Sequence, residues 1–233
     1  MKSLLLGLLG CLFAFGCFAE GSAGDDALEG FNRVIFTAND ALDSALAKPM
    51  ARAYVAIVPD SIERGVGNIF SNLDDLTNAA NSGLQGKLGD MGHSAGRFLI
   101  NTTFGLGGLF DVADRSFNLS KKDPEDFGQT LAVWGVGEGP YVMLPLLGPS
   151  SMRAAPGKFL DSFTNPMRYY AEVRPRNLVR AAGLVSKRAE LLGIDDMISG
   201  DRYVFVRDVY RQRQIFLIND GAIEDDFGDD DDY

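Results

Sequence analysis

The chain has 233 residues, 46% of them hydrophobic and 23% charged, which suits one globular domain and is too apolar for a disordered chain. Its 22 basic and 32 acidic residues leave a net charge of −10, the opposite of the basic balance expected of a nucleic-acid binder. One histidine and two cysteines exclude most zinc sites and any sizeable disulfide framework. In chain order, Met1-Lys2-Ser3 is a short basic start, residues 4–19 carry no charge, and residues 20–26 are polar. That is the layout of an export signal, too short for a membrane span. No later stretch reaches about 18 uninterrupted apolar residues, so the mature chain is expected to lack a transmembrane helix.

Both cysteines lie inside the signal. Ala14-Phe15-Gly16-Cys17 has the layout of a bacterial lipobox, with a small residue before a Cys to be acylated. Leu8-Leu9-Gly10-Cys11 is the alternative acylation site, although it leaves a short apolar core. Ordinary cleavage after Cys17-Phe18-Ala19 is the third reading. The expected organisation is an export signal over 1–16, a flexible tether over 17–25, one helical domain over 26–222, and an acidic disordered tail over 223–233. Residues 224–233 hold seven acids, so much of the acidity belongs to the tail.

Helical periodicity dominates the domain. Leu28, Phe31, Ile35, Leu42 and Ala45/Leu46 share one face of a first helix, with Pro49 expected just beyond its end. Ile62, Val66, Ile69, Leu73, Leu76 and Ala80 mark a second helix, bounded by Asp60-Ser61 and Gly83. Leu88, Met91, Ala95, Phe98/Leu99 and Thr102 mark a third. Residues 176–192 and 202–219 supply a fourth and a fifth, the last stopped by Gly221. Strict alternation is nowhere sustained, so the fold is read as mostly α. Residues 103–113 and 131–148 are apolar but punctuated by Gly and Pro. They read either as buried irregular structure or as segments at a membrane or along an apolar passage.

Chemical motifs mostly fail their tests. Gly92-His93-Ser94-Ala95-Gly96 matches a nucleophile elbow, but the only histidine lies inside the motif, and no second one exists to take the Ser94 proton. The glycine clusters at 105–108 and 135–139 complete neither a dinucleotide fingerprint nor a phosphate loop, so no motor is evident. No metal or cofactor is called for. Between Arg168 and Arg213 stand ten basic and six acidic residues. Within that stretch Arg174, Arg176, Arg180, Lys187 and Arg188 are candidates for phosphate headgroups or an acidic partner.

Several strings in order resemble the MlaA/VacJ family of Gram-negative outer-membrane lipoproteins. They are Glu29-Gly30-Phe31-Asn32-Arg33, Asn68-Ile69-Phe70-Ser71-Asn72-Leu73, Leu84-Gln85-Gly86, Arg97 through Thr103, Gly105-Leu106-Gly107-Gly108 through Asp111-Val112-Ala113, Phe127-Gly128-Gln129-Thr130-Leu131, Gly139-Pro140-Tyr141, Leu144 through Ser150, and Tyr203 to Tyr210. Leu76 and Arg202 stand where the family often has Pro.

The resemblance implies a ring of amphipathic helices around a central channel, monotopic in the inner leaflet of the outer membrane. It implies a passive, non-enzymatic route that removes misplaced phospholipids from the outer leaflet, in association with a trimeric porin, and passes them to a soluble periplasmic carrier. Phe104, Leu106, Leu109, Phe110, Tyr141, Leu144 and Leu146 are the candidates for membrane-facing or lipid-path residues, and Asn101, Thr102 and Thr103 for polar lining. The alternatives are a lipoprotein that only scaffolds porins and, remotely, a serine esterase using Ser94.

Overall fold

The computed structural model describes residues 26–195, 198 and 200–222. Cys11, Cys17, the expected signal and tether, and the acidic tail over 223–233 lie outside the described residues.

The first helix, α1 (Glu29–Leu42), runs without a break through a π-helical turn (Asp43–Ala47) into α2 (Lys48–Ile57). The expectation that Pro49 ends this helix is corrected. The Lys48 N–H bonds back to the Asp43 carbonyl, five residues earlier. That wider turn relieves the steric conflict between a proline ring and the preceding turn, and Pro49 then sits in the first turn of α2, where its missing N–H costs least. Next come α3 (Asp60–Leu84) and α4 (Leu88–Thr103), whose sequence-read counterparts fall in the same places. Gly86 (φ +81°) closes α3 with paired bonds, Lys87 N–H to Ser82 O and Gly86 N–H to Gly83 O, a reversal that needs left-handed backbone.

Short elements follow. Asp111 caps α5 (Val112–Phe117), and Asp126 caps α6 (Phe127–Val133), each by accepting a backbone N–H. An antiparallel hairpin, β1 (Tyr141–Leu144) with β2 (Gly148–Ser151), pairs Tyr141 with Ser151 and Leu144 with Gly148. The hairpin is short enough that no alternating pattern announces it. Then come α7 (Ala154–Asp161), a single 3-10 turn (Pro166–Arg168), α8 (Val173–Glu190) and α9 (Arg202–Ile218). Asp201 caps α9 through the Tyr203 and Val204 N–H groups.

The packed pairs form a closed circuit. α3 packs on α8, α8 on α2, α1 on β1, β2 on α7, α7 on α6, and α6 on α3 again. Two close approaches make it possible. A Cβ on Gly183 of α8 would sit 2.5 Å from the Phe70 ring of α3, and one on Gly157 of α7 would sit 2.7 Å from the Gly128 nitrogen of α6. The apolar core is small: Tyr141, Met143 and Tyr203, flanked by Ile35, Phe36, Val204, Val206 and Tyr210.

One asparagine ties the hairpin to α1. Asn32, fully buried, donates to Tyr141 O at 3.0 Å and to the Asp26 carboxylate at 3.0 Å, and accepts from Met143 N–H at 2.8 Å. Its loss strands a buried backbone N–H and C=O together. Asn32→Ala is therefore expected to lower unfolding stability by about 2–4 kcal/mol, read as thermal or denaturant unfolding in detergent. Asn32→Leu, similar in bulk, should not restore it.

Candidate functional site

The helices are amphipathic in the expected places, but they face the other way round from those of a water-soluble bundle. On α3 the apolar residue Ile62 is 55% exposed, and Val66, Ile69, Leu73 and Leu76 are only half-buried. The same helix buries Asn72, Asp75, Asn78, Asn81 and Ser82. On α1 Phe31 and Leu42 are exposed, as is Leu46 in the π turn, while Asn32 is buried; Ile35 and Phe36 flank the apolar core. Arg97 and Gln129 are among the largest fully buried side chains.

A buried polar group is stable where it finds a partner, and most of these do. Arg97 of α4 supplies the densest knot. Its guanidinium donates to Asp75 of α3 at 3.1 Å, to Asp111 at 3.0 Å, and to the Leu119 carbonyl. Asn101 continues it, donating to Asp111 and accepting the Ala113 N–H. Further along α3, Asn81 bonds Asp161 and accepts from Thr130, and Asn78 accepts the Glu125 N–H. Burial pushes the Asp75 carboxyl up to about 6, against the opposing pull of Arg97. Burial would also raise Asp111, but hydrogen bonds from Arg97, Asn101 and the Asp114 N–H hold it below the usual carboxylate range.

Two polar cavities open to the surface beside these buried groups, their linings including the exposed Lys121, Asp123 and Glu190. The larger, of about 330 Å³, is lined by Ser82, Ser94, Lys121, Asp123, Gln129 and Leu217 among others. The smaller, of about 50 Å³, is lined by Ser71, Asp74, Lys121, Ser186, Lys187 and Glu190 among others. Lys121 borders both.

The apolar candidates divide. Phe104, Leu106, Phe110 and Leu146 are exposed, Leu146 by 79%. Leu106 (φ +54°) and Leu146 (φ +63°) also take left-handed backbone that leucine adopts at a cost of order 1–3 kcal/mol. Leu109 is half-buried and covers Gly65, where a Cβ would sit 2.7 Å from its Cδ1. Leu144 is half-buried, its carbonyl bound by Asn39. Tyr141 does not face outward: it is 2% exposed, in edge contact with Tyr203.

The polar candidates divide as well. Asn101 is buried and ties α4 to α5, so it does not line an open passage. Thr102 accepts from Asn72 at 2.9 Å, and Thr103 is exposed. Among the cations, Arg174 is exposed, and Arg176 and Arg180 donate to the Tyr170 and Met167 carbonyls. Lys187 pairs with Asp74. Arg188 is a structural pin: it holds Asp43 through two bonds, at 2.7 and 2.9 Å, and Asp195 through a third. Its donors face protein rather than a headgroup.

Gly92 through Gly96 is helical throughout, not the strand–turn–helix of a nucleophile elbow, and His93 Nε2 is 2.8 Å from the Ser120 carbonyl oxygen. Among the described residues no group of three His, Cys, Asp or Glu could hold a metal, and no helix is long and apolar enough to cross a membrane. Sequence reasoning missed Lys121 and the buried polar stripe. The spacing of Asn68, Asn72, Asp75, Asn78 and Ser82 carried the same helical period as the apolar face opposite.

The profile of the MlaA lipoprotein family matches residues 24–216. The intermembrane phospholipid transport system lipoprotein MlaA of Escherichia coli (strain K12) is 34% identical over 224 residues, spanning 93% of this chain and 88% of that one. The protein of the same name from Haemophilus influenzae is 31% identical over 232 residues, 95% and 92% of the two chains. A solved structure, from work on the structural basis for maintenance of bacterial outer membrane lipid asymmetry, superposes with a TM-score of 0.73 at 37% identity. It covers 84% of this chain and the whole of its own.

Two predictions follow from the geometry. The fold favours the protonated Asp75 carboxyl, so that contribution is whole below about pH 3.8 and is lost as pH rises through about 6. The Tm of Asp75→Asn, which mimics the protonated acid, should therefore gain on the wild type between about pH 4 and pH 7. Separately, replacing Phe104, Leu106, Leu146 and Leu147 by Ser, with Cys11 and Cys17 changed to Ala, should move the protein from the membrane fraction to the soluble one. Unchanged fractionation would show that these four side chains do not seat it in lipid.

Proposed function

The chain belongs to the MlaA lipoprotein family, and from that premise we propose that it carries out intermembrane phospholipid transport as a passive conduit. It takes phospholipid misplaced in the outer leaflet of the outer membrane and passes it to a soluble periplasmic carrier, which maintains lipid asymmetry. The body sits in the periplasmic-side leaflet, anchored through acylated Cys17, beside a porin trimer.

The observation that carries this reading is the inverted burial. Exposed leucines and phenylalanines outside, with asparagine, serine and a bound arginine inside, suit a body bathed in acyl chains on its rim and polar within. Such a body addresses the barrier to lipid movement. Taking a methylene from lipid to water costs about 0.8 kcal/mol, so freeing two long chains costs over roughly 20 kcal/mol. A polar interior that accepts the headgroup while the chains stay in apolar surroundings removes most of that cost without chemistry. Left-handed Leu106 and Leu146 fit the same account. Burying a leucine in lipid returns about 1.5–3 kcal/mol, enough to offset the strain that water would leave uncompensated.

Deleting the gene should raise surface-exposed phospholipid, measured by labelling intact cells with a membrane-impermeant amine reagent. The wild-type chain should restore the low value. Unchanged surface phospholipid on deletion would leave a porin scaffold without transport, and release of free fatty acid that Ser94→Ala abolishes would point to hydrolysis.

A further inference from the structure

The two cavities meet at one exposed side chain, Lys121, whose charge also acts on the buried Asp75 carboxyl. Every other lysine around them is engaged: Lys122 by Asp90, Lys187 by Asp74, and Lys87 by Glu125 and Asp220. Among the described residues Lys121 makes no hydrogen bond or ion pair, although it borders both spaces. Beside it on α3, the Ser82 hydroxyl in the larger cavity and the Ser71 hydroxyl in the smaller are buried without a hydrogen-bond partner. Ser82 is only 1% exposed. Buried hydroxyls left unpaired cost about 1–3 kcal/mol each, so a water or a bound polar group completes them, and a ligand that replaces the water gains that bond.

Each cavity also offers one carboxylate with no hydrogen-bond or ion-pair partner among the described residues, Asp123 in the larger and Glu190 in the smaller. The larger holds Asp90, Glu125 and Asp220 as well, paired as above. This surplus of acids repels a bare anion. It accommodates a group that carries its own positive charge close to a negative one. At about 330 Å³ the larger space is at the small end of ligand sites, roughly 300–1,000 Å³, room for a headgroup rather than two acyl chains.

We propose that Lys121 is the headgroup-selecting residue of the conduit. It meets the phosphodiester of a zwitterionic, ethanolamine-type phospholipid together with the Ser82 hydroxyl, while Asp123 receives the ammonium. Glu190 and Ser71 repeat the arrangement on the other side of Lys121, so the headgroup moves between two like sites by exchanging carboxylates around one cation. This inference rests on the phospholipid-transport reading and adds to it a preference for zwitterionic over anionic lipid.

The test is equilibrium binding of water-soluble dihexanoyl-phosphatidylethanolamine and dihexanoyl-phosphatidylglycerol to the full-length protein in detergent, with inorganic phosphate as competitor. The wild type should favour the ethanolamine lipid. Lys121→Gln should weaken both lipids about tenfold or more, since a charge-assisted bond is worth about 1.5–3 kcal/mol. Lys121→Arg should restore most of the affinity. Asp123→Asn with Glu190→Gln should abolish the preference while leaving phosphatidylglycerol binding intact or stronger. Unaltered binding by Lys121→Gln, equal wild-type affinity for the two lipids, or equally effective competition by inorganic phosphate would each overturn the proposal. If the wild type binds neither lipid, the transport reading falls with it; if it binds both without regard to Lys121, only this inference falls. Circular dichroism of each variant separates lost binding from lost fold.

Discussion

A helix that turns its asparagines inward must find a hydrogen-bond partner for each, and that requirement organises this molecule. Arg97 meets it most fully: one guanidinium joins Asp75 on α3, Asp111 at the cap of α5, and the Leu119 carbonyl beyond it. Such a knot is directional where an apolar contact is not, so it sets the positions of α3, α4 and α5 relative to one another. Asn32 does the same for the hairpin and α1, and Asn81 for α3, α6 and α7. Polar contacts therefore do much of the positioning that a hydrophobic core does in a soluble bundle. The closed circuit of elements follows from where those contacts reach.

The same constraint places the apolar residues. With the inner face of α3 taken by amides, a carboxylate and a hydroxyl, and that of α1 shared between Asn32 and the core-flanking Ile35 and Phe36, many leucines and phenylalanines remain for the outside. They gather on helix faces and on two turn tips, around Leu106 and Leu146, where the backbone bends in a sense that glycine tolerates best. Asn39 steadies the second tip, bonding the Leu144 carbonyl and the Leu146 N–H. Held in this way, a large side chain at a strained tip is projected rather than folded back. That is the geometry of a residue meant to enter another phase.

A chain arranged like this needs no catalytic centre to move lipid. The barrier lies in exposing hydrocarbon to water, and a rim and an interior of opposite polarity lower it by position alone. What remains is selection, which falls to charges that line the two cavities. Most of these pair with one another, and the exposed Lys121, Asp123 and Glu190 stand apart because they make no hydrogen bond or ion pair among the described residues.

Much of the fold was legible in the sequence because helical periodicity is a local property. The residues of α3 and α4, the boundaries of α9 and the absence of a long apolar span could all be read from side-chain spacing. Local reading failed where a distant partner decides. Pro49 continues its helix because a π turn precedes it, Asn32 and Asn39 hold the hairpin of β1 and β2, and Tyr141, read as a membrane or lipid-path residue, and Arg188, read as a headgroup or partner contact, are packed on Tyr203 and bound by Asp43. Spacing shows that a helix has two unlike faces but not which faces in, because that depends on the medium outside and on bonds between residues remote in the chain. The amino-acid order thus determined the helices, their two-sidedness and the family; only the tertiary structure decided that the polar side of α3 lies within, and that Lys121 borders two cavities at once.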